Sequence, residues 1–246
     1  MHHIACRQEE LEERKIICRA ARSLAALLLV AASCAHAGRP LTTDDAGVIE
    51  PGKCEAEGFT ARMSEADAPS LKLDSLQLSC GAGEQTQLAL GAQRGRGDGA
   101  TERALRASGK TALRPLTEEH VGAAIAYAIS GIAPPGEGFH HETTELNGVL
   151  SVPLGAVTAH ANAGWIRFQT TRRSVATWAL ALEAPAAIGQ IDLMAEIYGD
   201  DRVAPWLAAA ARWSVVKERF FVDASCGMQT NGGHSRLVTI GFKWAI

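Results

Sequence analysis

His160 and Asn162 stand two residues apart in His160-Ala161-Asn162-Ala163-Gly164, which puts both side chains on one face if the segment is a strand. An imidazole base beside an orienting amide makes up two parts of a Ser–His–Asn hydrolytic set. The local string holds no serine nucleophile, and no G-x-S-x-G elbow occurs in the chain. The expectation is therefore a wall residue that hydrogen-bonds, with catalysis the lesser alternative. His140-His141-Glu142 has ligand types for a metal ion. Adjacent residues of an extended chain point to opposite faces, however, so the three are expected as exposed loop charge. Asp44-Asp45 has the types for a divalent cation or a plug-side partner, but a turn-and-cap pair is the reading preferred here. Neither G-x-x-x-x-G-K-[ST] nor G-x-G-x-x-G is present, so no nucleotide chemistry and no cofactor is expected.

The composition narrows what must position these residues. The 246 residues are 47% hydrophobic and 21% charged, too apolar for a disordered chain. With 24 Lys+Arg against 27 Asp+Glu there is no positive excess for binding nucleic acid. The longest clean apolar run, Leu24 to Ala32, is far short of the roughly 20 residues of a transmembrane helix. Globular domains remain, or a membrane barrel whose strands hide in an average composition.

The N-terminus reads as an export signal. Lys15, Arg19 and Arg22 precede that apolar run, and Ala35-His36-Ala37 follows it as a cleavage site, so residues 1–37 are expected to be a signal peptide. Met1 to Arg14 is too mixed in charge for a normal leader, and translation is expected to begin nearer Ile16. Cleavage removes Cys6, Cys18 and Cys34 and leaves Cys54, Cys80 and Cys226 in an oxidising compartment. An odd number leaves one unpaired; a Cys54–Cys80 bridge is open to the chain if their strands are neighbours.

Past the leader the dominant signal is strict alternation. Val238, Ile240, Phe242, Trp244 and Ile246 form one face of the last segment, and Thr239, Gly241 and Lys243 the other. The segment at 156–165 sets Val157, Ala159, Ala161, Ala163 and Trp165 against Thr158, His160 and Asn162. Counting such half-buried segments predicts about twelve strands, at 54–62, 70–80, 84–93, 105–113, 120–130, 144–152, 156–165, 174–183, 190–198, 205–214, 219–228 and 236–246. The connections alternate. Polar loops are expected at 63–69, 94–100, 131–143 and 164–173, against short turns such as Gly81-Ala82-Gly83 and Pro153-Leu154-Gly155. That is the habit of an outer-membrane barrel.

Face assignment follows. The residues expected to line the lumen as a pore are Glu55, Glu57, Lys110, Glu145, Asn147, His160, Asn162, Asp192, Glu196, Arg212, Asp223 and Lys243, with Glu183 in the same phase. A small soluble sandwich has no room to bury so many charges, although it has an outer face for them. Trp165, Trp178, Tyr198, Trp206, Trp213, Phe220, Phe221, Phe242 and Trp244 fall mostly near strand ends, where interface girdles lie. Arg94, Arg96, Arg172 and Arg173 are placed in the outer loops, solvated or facing lipopolysaccharide phosphates.

Two stretches carry a family resemblance. Thr239-Ile240-Gly241-Phe242-Lys243-Trp244-Ala245-Ile246 resembles the terminal signal read by the outer-membrane assembly machinery, with Thr239, Gly241, Trp244 and Ile246 at its pattern positions. Arg39-Pro40-Leu41-Thr42-Thr43-Asp44-Asp45-Ala46, followed by Pro51-Gly52-Lys53, resembles the opening of outer-membrane transporters related to the phenol meta-pathway barrel proteins. The resemblance implies one barrel and a role in small-molecule passage, although the strands here are richer in Ala and poorer in aromatic residues than the family's. The whole expectation is an all-β chain: a single antiparallel outer-membrane β-barrel of about twelve strands in a Gram-negative cell. Residues 1–37 are its leader, 38–53 a periplasmic segment and 54–246 the barrel, with both termini periplasmic. Its partners are expected to be lipid, lipopolysaccharide, the assembly machinery and an unidentified small solute. Weak cation selectivity is expected, with a barrel-embedded hydrolase or a closed structural or adhesion barrel as alternatives.

Overall fold

The computed structural model describes residues 40–65, 68–231 and 235–246. The expected leader and start site lie outside the described residues, as does Arg39. Among the described residues, every regular element is a strand. The strands are β1 (Cys54–Glu65), β2 (Ala68–Gly83), β3 (Thr86–Gly97), β4 (Ala100–Arg114), β5 (Gly122–Ala133), β6 (His140–Pro153), β7 (Thr158–Phe168), β8 (Ser174–Ile188), β9 (Ile191–Asp200), β10 (Trp206–Val216), β11 (Phe220–Gln229) and β12 (Arg236–Ala245). Each pairs antiparallel with its sequence neighbours, and β1 pairs with β12 to close the barrel. Closure leaves no unpaired edge, so the apolar last strand is sealed by Glu55 to Ser64 instead of lying open to another chain.

The alternation works as a sorting device. Leu76, Leu78, Leu88, Leu90, Leu105, Ile129, Leu146, Leu180, Leu182 and Ile240 face outward, Leu90 with 70% of its surface exposed. Their neighbours in the opposite phase, among them Ala61, Ala89, Ala104, Ala124, Ala128, Ala179, Ala181, Ala208 and Ala210, are buried inside. In water each such leucine would forgo about 1.5–3 kcal/mol of burial, so this outer face suits hydrocarbon. No helix among the described residues is long and apolar enough to cross a membrane, which says nothing of a crossing by strands. The inward alanines have a consequence of their own. They leave a twelve-stranded lumen too wide for wall side chains alone to fill.

Several expectations change. Most of the polar stretches at 63–69 and 94–100 is strand: the β1–β2 ladder extends to Glu65 and Ala68, and the β3–β4 ladder to Gly97 and Ala100. Arg94 and Arg96 therefore sit on the outer face of β3, and Arg96 pairs with Asp74 on β2. The β3–β4 hairpin turns at Asp98-Gly99, both with positive φ (53° and 74°), the pair of left-handed positions that a two-residue type I′ turn requires. Likewise 131–143 shrinks to a connection at 134–139, because Gly131 to Ala133 and His140 to Thr143 belong to strands. Arg172 and Arg173 do lie in a loop. Trp165, Trp178, Trp213 and Trp244 are exposed on the outer face, whereas Tyr198 and Trp206 turn into the lumen and stack with centroids 6.5 Å apart. The pleat decides this, since Tyr198 shares the phase of Glu196 and Trp206 that of Ala208.

Cys54 and Cys80 are direct cross-strand partners on β1 and β2 and form a disulfide. Cys226 is free and exposed on the outer face of β11.

Candidate functional site: a strap across the lumen

The segment before β1 does not stay outside the barrel. From Leu41 to Ile49 it crosses the lumen in the half that carries both chain ends of the barrel, held by its main chain and by several of its side chains. The Glu196 carboxylate on β9 accepts from Thr42 N at 2.9 Å and from Thr43 N and Oγ1 at 2.8 Å. Asn162 on β7 contacts both main-chain polar groups of one residue. Its Oδ1 accepts from Asp44 N at 2.5 Å, and its Nδ2 donates to Asp44 O at 2.9 Å. Lys110 on β4 donates to Asp45 O at 2.9 Å and lies 3.4 Å and 3.6 Å from the Asp44 and Asp45 carboxylates. Ser151 Oγ on β6 accepts from Ala46 N, and Gln87 Oε1 on β3 accepts from Ile49 N, each at 2.9 Å.

Two small apolar contacts fix the ends. Leu41 packs on Ala181, Met194 and Ala210, and Ala46 on Ala124, Val149 and Leu116. The expected solvent-side turn of Asp44-Asp45 is thereby corrected in part. Asp45 does make a turn, accepting from Gly47 N at 2.6 Å, but Asp44 is fully buried against Lys110. Residues 41–49 are tied to the wall because an extended main chain needs hydrogen-bond partners and the inward polar groups supply them.

The strap leaves the lumen through a tight exit. Pro51 bridges to Gly81, where a Cβ would stand 2.2 Å from Glu50 O, so only glycine fits. Lys53 N donates to Glu50 O, and the side chains of the two pair at 2.5 Å. That hydrogen bond holds the Glu50 carboxyl below its usual range and the Lys53 ammonium above its own.

Behind the strap stands a second layer of wall side chains. Ser151 Oγ meets His160 Nδ1 at 2.8 Å, and His160 Nε2 lies 3.6 Å from Glu183. Arg212 reaches Glu183 at 3.3 Å and Asp192 at 4.0 Å, and faces Asp223 across the β10–β11 ladder. Lys243 pairs with Glu55 at 2.7 Å. A cavity of about 200 Å³ lies beside the strap, lined by Val48, Ile49, Glu57, Ser79, Lys110 and Lys243. Farther from the chain ends, Arg106 grips Glu145 with two bonds, at 2.8 and 3.0 Å, braced by Ser130 and Thr143. Asn147 joins the two levels, donating to Asn162 Oδ1 at 3.4 Å.

All twelve residues expected on the inner face lie in the phase opposite the exposed leucines. Lys110, Asn162 and Glu196 hold the strap; His160, Asp192 and Arg212 stand behind it, with Asp223 facing Arg212. Glu55, Glu57 and Lys243 border the cavity, while Glu145 and Asn147 form the level above. Sequence reasoning missed Ser151, Gln87 and Arg106. Ser151 was within reach of inspection: it pairs with His160 across the hairpin that turns at 154–157. His140 and Glu142 stay 3.9 Å apart, and no group of three metal-ligating side chains occurs among the described residues. Glu142 itself is buried and accepts from Thr170, so it is not the exposed loop charge expected.

No curated protein matches the sequence. Several solved outer-membrane barrels share its fold. "KdgM porin in complex with disordered oligogalacturonate" is 8% identical with a TM-score of 0.57, over 77% of this chain and 98% of that one. The "COG4313 outer membrane channel from Pseudomonas putida F1" is 11% identical with a TM-score of 0.56, over 82% and 98%. A NanC porin is 9% identical with a TM-score of 0.55, over 77% and 98%. At such identities the likeness is one of fold. Residues 25–246 match the family described as "Uncharacterised conserved protein UCP029691", and the chain belongs to that family.

Proposed function

We propose that the protein is an outer-membrane barrel of a Gram-negative cell that passes small molecules, with the Leu41–Ile49 strap as its constriction and both barrel ends of the chain at the periplasmic face. One observation carries this reading: a segment of the chain outside the barrel's strands crosses the lumen on hydrogen bonds to the wall, beside the wall's own side-chain pairs. A barrel serving only as a wall gains nothing from alanines that open its interior. The fold shared with porins and channels supports the same reading. Resemblance to transporters related to the phenol meta-pathway proteins also implies small-molecule passage and leaves the solute open. The strap is the element that carries most of that resemblance.

Acidic groups slightly outnumber basic ones along the inner face, which favours weak cation selectivity once the strap moves. The terminal pattern of Thr239, Gly241, Trp244 and Ile246 is the proposed assembly signal. Arg172 and Arg173 are the loop cations proposed to meet lipopolysaccharide phosphate. Proteoliposome swelling tests the passage. Entry of small sugars or amino acids faster than into empty vesicles is expected, and equal rates would remove the reading.

The Ser151–His160–Glu183 arrangement favours a second reading, a barrel hydrolase. The serine missing from the local sequence is present in space, with a base and an orienting carboxylate in line. We favour a latch over a nucleophile, because Ser151 has no exposed surface and its oxygen already accepts from Ala46 N. A fluorophosphonate probe decides between them: labelling at Ser151 would establish the hydrolase.

A further inference from the structure

We propose that the proximal lumen is a binding site for short extended peptides, in which residues 41–46 are the resident occupant; this rests on the reading of the barrel as a passage and names the solute class its constriction selects. The argument is in what the wall touches. The wall takes hold of six main-chain groups of residues 42–46, the N–H of Thr42, Thr43, Asp44 and Ala46 and the C=O of Asp44 and Asp45, besides side chains such as the Thr43 hydroxyl and the two aspartates. Main-chain contact is how a protein holds an extended peptide irrespective of most of its sequence, leaving specificity to alternate side-chain pockets.

Those pockets are present. The first residue needs an apolar side chain for the Ala181–Met194–Ala210 patch, the fourth a carboxylate for Lys110, and the sixth a small side chain against Ala124 and Val149. Asn162 reads the fourth residue in both directions, N–H and C=O, as a neighbouring β-strand would. The cavity of about 200 Å³ beside the strap gives an entering chain a place to start before the strap is displaced. The ligand class is then an acidic oligopeptide with an apolar start and a small residue two positions after its carboxylate.

The test uses the full chain with Thr43→Pro and Ala46→Pro, which removes two of the strap's donors without touching the wall. A fluorescent peptide Leu-Thr-Thr-Asp-Asp-Ala is titrated against the variant in detergent, with Leu-Thr-Thr-Lys-Asp-Ala as control. Heat-modifiable gel mobility confirms that the barrel is folded. Anisotropy is expected to report saturable binding of the first peptide only. The unaltered protein is expected to bind it about ten-fold or more weakly, because the tethered strap competes at a millimolar effective concentration. Equal binding of both peptides, or of neither, by the folded variant overturns the proposal. Should the double variant fail to fold, Ala46→Pro alone carries the same test. Peptide binding to a variant that conducts no ions would support this site while removing the passage; conduction without peptide binding would do the reverse.

Discussion

Ser151 and His160 face each other across one hairpin, hydroxyl to imidazole Nδ1 at 2.8 Å, and the hydroxyl also accepts the Ala46 amide of the strap. One chain of polar groups thus runs from the strap through Ser151, His160 and Glu183 to Arg212. Each member orients the next, so the strap's position is coupled through Ser151 to the groups beyond it.

Replacing Ser151 by Ala removes one partner from Ala46 and one from His160, both buried. An unsatisfied buried group costs about 1–3 kcal/mol. Residues 41–49 are expected to become sensitive to added protease while the barrel stays heat-modifiable. Protection equal to the unaltered protein's would show that the latch holds nothing.

Lys110→Met leaves the Asp44 and Asp45 carboxylates without their ammonium inside the lumen. Removing one partner of a buried pair costs about 3–5 kcal/mol. Adding Asp44→Asn to that variant is expected to restore part of the loss, measured as the temperature of the mobility shift. No recovery would mean that the pair is not what fixes the strap.

The Cys54–Cys80 disulfide closes β1 to β2 next to the strap's exit, over a separation of 26 residues. A loop of that order stabilises by about 3 kcal/mol. Cys54→Ser with Cys80→Ser is expected to lower the mobility-shift temperature, and reductant is expected to lower it only in the parent. A parent indifferent to reductant would contradict the bridge.

Cys226 projects from the outer face of β11, opposite Ala209 and Val238. If that face meets hydrocarbon, a membrane-permeant maleimide labels it in intact membranes and a charged thiol reagent does not. Rapid labelling by the charged reagent would place this face in water.

The wall was legible in the chain, since period-2 alternation names inward and outward residues without knowledge of the partner strand. His160, Asn162 and Glu196 could therefore be placed on the inner face from their own neighbours. What they bind could not. The strap's residues Leu41 to Ile49 carry no periodicity, and their contacts are long-range: Thr43 to Glu196 spans 153 positions. Strand lengths were underestimated at 94–100 because Gly95, Gly97 and Gly99 resemble a loop, although Asp98-Gly99 is a hairpin signal. Tyr198 and Trp206 were drawn to the membrane girdle by residue type, where phase would have turned them inward. Ser151 lies nine positions from His160, and only the register across the turn between β6 and β7 brings the two together.

The central claim is that the strap closes a lumen that is otherwise a passage. Planar-bilayer conductance of the full chain, compared with its Thr43→Pro, Ala46→Pro variant, tests it most directly. The account expects a small conductance in the parent and a several-fold larger, weakly cation-selective one in the variant. Two folded proteins with the same negligible conductance would contradict it and leave a closed structural barrel.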